Sequence, residues 1–139
     1  MIKALAHICF VVRDLERSLA FYQEALGLEL AFDFKRESGE RHGVYLHAGR
    51  DTFIELFTGQ IEERAARQSY QHFCLEVDDI NESVASLRAK GVTVTDPKLE
   101  MDLSWQAWLA DPEGNRIELH QYTPRSWQVV WRRQRAGAT

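Results

Sequence analysis

The sequence lacks the features that mark secreted, membrane-bound or nucleic-acid-binding proteins. It has two cysteines and three prolines in 139 residues, and no apolar run approaches the ~20 residues that a membrane-spanning helix needs. Acidic residues outnumber basic ones, giving a formal net charge of −4, so general affinity for nucleic acid or anionic membranes is not expected. The N-terminus shows no signal-peptide pattern, and the cysteines are not closely spaced. We therefore expect reduced thiols in a cytoplasmic protein.

What the sequence contains instead is an internal repeat. Residues 7–14 read HICFVVRD and residues 72–79 read HFCLEVDD, with equivalent positions 65 apart. Further along, the offset is 63, and it relates Glu55 to Glu118, each in the triplet Ile-Glu-Leu. Each half of the chain therefore supplies one histidine and one glutamate at equivalent positions.

The repeat defines the organisation of the chain. With 45% hydrophobic residues, the length suits one compact domain with a substantial core, which the repeat divides into two modules. We predict one domain over residues 1–139, made of module 1 at about 4–58, a helix-prone linker at 59–69, module 2 at about 70–121 and a tail at 122–139.

Hydrophobic periodicity predicts the order βαβββ in both modules, and hence an α+β fold. Helices are predicted to begin after the N-cap residues Asp14 and Asp79 and to end at Gly27 and Gly91. Residues 96–103 are predicted to form a loop. The predicted strands are residues 4–12, 28–35, 42–48, 52–58, 70–77, 92–95, 104–110 and 116–121.

The tail repeats neither module. Trp127, Val130 and Trp131 recur at helical spacing among basic residues, which predicts a helix within residues 124–135. We expect this helix to cover an apolar patch or to contact a dimer partner. A nucleic-acid-binding role is disfavoured because the protein as a whole is acidic.

Strand alternation predicts the direction of the repeated histidines and glutamates. His7 lies opposite the apolar residues that are spaced to pack beneath the helix, so it faces away from that helix. The same alternation places His72, Glu55 and Glu118 on faces directed away from the helices. We therefore predict that two modules bring two imidazoles and two carboxylates to one cleft.

This set of side chains is typical of a metal site. Neutral imidazoles and carboxylates suit a divalent ion such as Ni²⁺, Zn²⁺, Co²⁺ or Fe²⁺. An inward carboxylate is costly to desolvate without a cation or donor, and two of them would repel each other. Any one of these residues alone would more often be structural, so the prediction depends on their recurrence. Cys9 and Cys74 are expected to be small buried thiols, and His120 is a candidate for the pocket lining.

Three segments of the sequence resemble one known family. They are the opening from His7 through DLERSLAFY to Leu26-Gly27-Leu28, the second copy at His72, and the run DPEGNRIEL at residues 111–119. The chain resembles the glyoxalase/bleomycin-resistance/extradiol-dioxygenase group, the vicinal oxygen chelate superfamily. The resemblance implies paired βαβββ modules whose curved sheets surround a metal, often with a second subunit, so a homodimer is expected.

Within that superfamily, the metal set is similar to that of glyoxalase I. This similarity implies metal ligation by His7, Glu55, His72 and Glu118 and a small-molecule substrate, the hemithioacetal of a 2-oxoaldehyde and a thiol. Glu118 is then the first choice for the catalytic base, with Glu55 as its partner. An epimerase, a dioxygenase and a non-catalytic drug-binding resistance protein are the alternatives. The glutamate at position 55 disfavours a dioxygenase, since those members use two histidines and one glutamate.

The sequence departs from the glyoxalase I pattern where that enzyme contacts glutathione. No arginine follows His7 before Arg13, and no asparagine occurs in residues 56–60. These differences argue against glutathione as the thiol. Trp105 and Trp108 are expected on opposite faces of their strand, with one of them in the core. An aromatic pocket is expected from the residues Tyr45, Phe53, Phe57 and one of the two tryptophans.

Overall fold

The computed structural model describes residues 2–62 and 69–137. Its strands are β1 (His7–Val12), β2 (Glu29–Lys35), β3 (Arg41–His47), β4 (Phe53–Thr58), β5 (Phe73–Glu76), β6 (Lys98–Leu99), β7 (Trp105–Ala110) and β8 (Arg116–Gln121). Its helices are α1 (Leu15–Ala20), which continues as a π-helical turn (Phe21–Ala25), α2 (Ile80–Ala89) and α3 (Trp127–Ala136). No described helix is both long enough and apolar enough to cross a bilayer.

The chain divides into two compact units with the same sheet topology. The first unit contains Met1–Ser69 and Asp111–Gly114, and the second contains Tyr70–Ala110 and Asn115–Thr139. The first sheet has the order β1-β4-β3-β2 and the second has the order β5-β8-β7-β6. In each sheet the first and last strands of the module are parallel neighbours. The predicted α+β class and the repeated βαβββ order are confirmed.

Strand alternation in the first unit separates a core face from an open face. On β1, Phe10 and Val12 are buried, whereas His7 and Cys9 are exposed. Helix α1 begins at the predicted cap, since the Asp14 carboxylate accepts a hydrogen bond from the backbone N–H of Arg17 at 3.0 Å. The helix therefore packs on the opposite face of the sheet from His7.

The second unit repeats this arrangement. The Asp79 carboxylate caps α2 by accepting from the backbone N–H of Glu82 at 2.9 Å. The apolar residues of the helix and of the sheet beneath it form one buried set. Its members are Phe73, Ile80, Val84, Leu87, Ile117 and Leu119.

One local prediction, a strand, is wrong, and another, the linker, is mostly untested. The predicted strand at residues 92–95 is absent, and β6 forms instead inside the predicted loop. Thr95 contacts Trp108 through two hydrogen bonds, one of which uses its side-chain hydroxyl, so this segment bonds to β7 without continuing as a strand. Helix α3 is present as predicted, but Trp127 and Trp131 remain exposed. Most of the predicted helix-prone linker lies outside the described residues.

Candidate metal centre

The first unit brings His7 and Glu55 together on the open face of its sheet. Strands β1 and β4 run parallel, with Cys9 directly beside Glu55. The His7 Nε2 atom lies 3.7 Å from a carboxylate oxygen of Glu55. Only 16% of the Glu55 side chain is exposed, compared with 43% of the His7 ring. This pair is close but loosely held.

The second unit brings His72 and Glu118 into closer contact. Strands β5 and β8 are parallel, with Cys74 beside Glu118. The His72 Nε2 atom lies 3.0 Å from Oε2 of Glu118, whose side chain is only 9% exposed. A carboxylate this deeply buried needs positive charge or hydrogen-bond donors to offset its lost hydration.

The other oxygen of Glu118 contacts His120. Oε1 of Glu118 lies 2.7 Å from Nδ1 of His120, and both residues are buried. The opposite ring nitrogen, Nε2, is buried and has no hydrogen-bond partner among the described residues. It faces Oδ2 of Asp102 at 3.9 Å, which is too far for a direct hydrogen bond.

Asp102 is itself fixed by two donors. Its carboxylate accepts a hydrogen bond from the Gln128 amide at 2.7 Å and another from the backbone N–H of Ser104 at 3.1 Å. Burial acts to raise the pKa of Asp102, but these hydrogen bonds and the nearby His120 outweigh it and hold the pKa below its usual value. The carboxylate therefore remains ionised and oriented.

The spacing within each predicted His–Glu pair suits the binding of a divalent cation. Ligands held ~2.1 Å from one ion at angles between 90° and tetrahedral lie ~3.0–3.4 Å apart. The separation of 3.0 Å for His72 and Glu118 falls in this range, and 3.7 Å for His7 and Glu55 is slightly wider. Convergence of the two pairs on a single ion remains a prediction.

A second combination of ligand-type atoms occurs in the second unit. One donor atom each from Cys74, Glu118 and His120 lies within 4.8 Å of the others. From the sequence we predicted Glu118 as a metal ligand and His120 only as a possible residue of the pocket lining. The contributions of Asp102 and Gln128 were missed. The Glu-x-His spacing of residues 118 and 120 was the available signal, since such residues share one face of a strand.

The prediction that the cysteines are buried is wrong. Cys9 and Cys74 are both free and exposed, because they lie on the open faces with the histidines. Local desolvation, reinforced by the adjacent Glu55 carboxylate, raises the pKa of Cys9 to about 11. Local desolvation and the Glu118 carboxylate raise the pKa of Cys74 to about 12. Both thiols are therefore protonated at neutral pH.

The prediction that one of the two tryptophans lies in the core is also wrong. Trp105 is 38% exposed, and Trp108 is partly exposed on the same face as Glu118. The His72 ring meets Trp108 edge-on, with centroids 4.7 Å apart. The Arg116 guanidinium lies 4.6 Å from the centroid of the same indole. Trp108 thus supports the His72 ring.

Aromatic rings cover the open face of the first sheet beside His7 and Glu55. Phe32 stacks on Tyr45, with centroids 4.8 Å apart and planes 14° apart, and Phe32 is still 49% exposed. The His7 ring lies 5.6 Å from that of Tyr45. We call this surface the aromatic face, and its members are Phe32, Phe34, Tyr45, Phe53 and Phe57.

The raised thiol pKa values predict slow alkylation. In protein freed of metal by a chelator, thiols of pKa about 11 and 12 are almost entirely protonated at pH 8, whereas an ordinary thiol of pKa ~8.5 is partly ionised. We expect iodoacetamide to modify Cys9 and Cys74 at least ~10-fold more slowly than free cysteine, measured by mass spectrometry. Glu55→Gln should accelerate only Cys9, and Glu118→Gln only Cys74. Rates equal to that of free cysteine would contradict this.

Comparison with known proteins identifies the family. Residues 4–119 match the model of the glyoxalase/bleomycin resistance protein/dioxygenase superfamily. A lactoylglutathione lyase of Salmonella typhimurium is 30% identical over 121 residues, which cover 83% of this chain and 90% of that protein. The glutathione transferase FosA of Serratia marcescens is 28% identical over 122 residues, covering 86% of this chain and 82% of the relative.

Other relatives differ in length or in described role. The matched residues span 85% of this chain but only 44% of the longer lactoylglutathione lyase GLX1 of Arabidopsis thaliana, at 28% identity. The crystal structure of TnmS3, an antibiotic binding protein from Streptomyces, matches with a TM-score of 0.68 at 28% identity, covering 88% of this chain and 98% of that one. The chain belongs to the glyoxalase/bleomycin resistance protein/dioxygenase superfamily.

Proposed function

We propose that this protein is a metal-dependent lyase or isomerase of the glyoxalase I type. It would convert the hemithioacetal of a 2-oxoaldehyde and a thiol into a 2-hydroxyacyl thioester through an enediolate. The observation that supports this most strongly is the recurrence of one His–Glu pair at equivalent sequence positions of both units, with His7 at the start of β1, His72 immediately before β5, and facing atoms 3.7 and 3.0 Å apart. Superfamily membership and the lactoylglutathione lyase relatives agree with this proposal.

The two pairs together would hold one divalent cation, Ni²⁺, Zn²⁺, Co²⁺ or Fe²⁺. The ligands would be His7, Glu55, His72 and Glu118, a set of imidazole and carboxylate groups that these ions accept. When bound, the ion would supply Lewis-acid stabilisation for negative charge on the substrate oxygens.

The reaction needs a base that takes a proton from one carbon and returns it to its neighbour, with no net oxidation. The sequence favoured Glu118 for this role, with Glu55 as its partner. The contacts in the structure favour the reverse assignment, with Glu55 as the main base. Both oxygens of Glu118 are engaged, by His72 and His120, whereas Glu55 has a 3.7 Å contact with His7 and a hydrogen bond shared with the protonated Cys9 thiol. We therefore assign proton transfer chiefly to Glu55 and anchoring to Glu118.

The aromatic face indicates which substrates would be accepted. Phe32 and Tyr45 extend from Glu55 along one row of the sheet, because Tyr45 pairs with Glu55 and Phe32 pairs with Tyr45. An apolar or aromatic group on the aldehyde or the thiol would bury its surface against these rings. Such a substrate also fits the absence of the glutathione-contact residues noted in the sequence.

We further propose that the active form is a cytoplasmic homodimer. The free thiols of Cys9 and Cys74 agree with a reducing compartment. The exposed apolar residues Trp127, Val130 and Trp131 of α3 agree with a subunit contact.

The activity is tested by following the loss of hemithioacetal absorbance with methylglyoxal or phenylglyoxal and several thiols. We expect turnover that is abolished by chelation and restored by Ni²⁺, Zn²⁺ or Co²⁺. Glu55→Gln should lower kcat by at least ~100-fold while metal remains bound, because a general base typically contributes 10²–10⁴-fold. Glu37→Gln, in the exposed turn before β3, is the carboxylate control and should leave kcat unchanged. Absence of metal-dependent turnover with every thiol would refute the proposal.

A second candidate function is non-catalytic binding of an aromatic drug or metabolite. The exposed ring stack of Phe32 and Tyr45 supports it, and TnmS3 is described as an antibiotic binding protein. In that case the aromatic face, rather than a metal, would determine affinity.

The two candidates differ in what the histidines do. If the protein is only a binder, the double variant His7→Ala/His72→Ala should bind planar aromatic ligands as tightly as the unmodified protein, measured by isothermal titration calorimetry. Under the same hypothesis, Phe32→Ala should weaken binding at least ~5-fold, since an aromatic contact contributes ~1 kcal/mol or more. Loss of binding in the double variant would contradict the binder and favour the metalloenzyme.

A further inference from the structure

The two repeats differ at one position beside the proposed metal ligands. Two residues after Glu55, on the same face of β4, the first unit has Phe57. Two residues after Glu118, on the same face of β8, the second unit has His120. A phenyl ring cannot donate a hydrogen bond, and an imidazole can. The two glutamates therefore have different neighbours despite equivalent strand positions.

His120 contacts Glu118 as a hydrogen-bond donor rather than as a fellow ligand. The separation of Nδ1 and Oε1 is 2.7 Å, which matches a charge-assisted hydrogen bond and is shorter than the ~3.0 Å expected of two ligands on one ion. Because an ionised carboxylate only accepts, the proton of this bond is assigned to Nδ1 of His120. Oε2 of Glu118 is directed to His72 instead.

The His120 ring contacts Tyr122, just beyond the repeat, and Asp102, in the loop between β6 and β7. Its edge meets the ring of Tyr122, with centroids 4.7 Å apart and planes 66° apart. Its other side faces Asp102, which the Gln128 amide of α3 fixes by a 2.7 Å hydrogen bond. The backbone N–H of Trp127 also donates to the Asp102 carbonyl at 3.0 Å. The start of α3 thus supports the ring that contacts Glu118.

We propose that His120 is a positioning residue that fixes the Glu118 carboxylate through its contact with Oε1, and that α3 supports it through Gln128 and Asp102. With Oε1 held in this way, Glu118 would be oriented to help hold the metal. This inference rests on the metal-binding part of the proposed function. It also assigns different mobility to the two glutamates, with Glu118 fixed and Glu55 able to move.

The test is titration of the metal-free protein with Co²⁺ alone, comparing two polar substitutions of similar size. In His120→Asn the amide nitrogen lies near the position of Nδ1 and can still donate to Glu118. In His120→Gln the amide lies near the position of Nε2 and cannot. We expect His120→Gln to lower Co²⁺ affinity by ~10–100-fold, the usual cost of losing a partner of a metal ligand, and His120→Asn to stay within ~3-fold.

Two further variants separate this inference from the function on which it rests. His47→Gln makes the same chemical change on β3 and should leave Co²⁺ affinity unchanged. Glu118→Ala should weaken binding more than His120→Gln does. The visible absorption of bound Co²⁺ should change shape in His120→Gln, because a freed carboxylate alters the ligand field, and thermal unfolding checks that each variant is folded.

The outcomes distinguish failure of the positioning role from failure of the metal site. If Glu118→Ala weakens Co²⁺ binding but His120→Asn and His120→Gln behave alike, the positioning role is wrong and the metal site stands. If Glu118→Ala leaves Co²⁺ affinity unchanged, the proposed metal site is wrong and the positioning role fails with it.

Discussion

The arrangement of side chains on the open face of the second unit depends on the buried carboxylate of Glu118. A desolvated carboxylate is stable only where donors or cations meet both of its oxygens. His72 and His120 lie on either side of it at 3.0 and 2.7 Å, and the two rings are in turn held by Trp108 and Tyr122. The surrounding aromatic residues therefore serve to fix polar atoms around one charged group.

Sheet topology explains why histidine and glutamate meet in both units. The first strand of each module pairs in parallel with the last, so residues far apart in the sequence become neighbours on one face. Strand alternation then directs those side chains away from the helix, while the intervening residues pack beneath it. Duplication of the module repeats the arrangement, and changes such as His120 in place of Phe57 make the two halves unequal. In the proposed function, this inequality would let Glu118 anchor the metal while Glu55 transfers protons.

Much of this could be predicted from the sequence because it follows from periodicity and repetition. The strand order, the helix caps at Asp14 and Asp79, and the shared face of each His–Glu pair all depend on local spacing. The strand predicted at residues 92–95 failed because strand formation there depends on pairing with β7, to which Thr95 bonds through its side chain as well as its backbone. The contacts of Asp102 with His120 and with Gln128 join segments that are distant in the sequence, so no local pattern predicts them. Cys9 and Cys74 were misjudged because residue type alone suggested burial, although their alternation already placed them on the open faces.

In the proposed site, two imidazoles and two carboxylates would hold one divalent ion, with the neighbouring thiols outside its coordination shell. X-ray absorption spectroscopy of the protein loaded with one equivalent of Co²⁺ or Ni²⁺ tests this most directly. We expect a nearest shell of nitrogen and oxygen only, with outer scattering from two imidazole rings. A sulfur atom in the nearest shell, as a site built on Cys74 would give, or scattering from fewer than two imidazoles would contradict it.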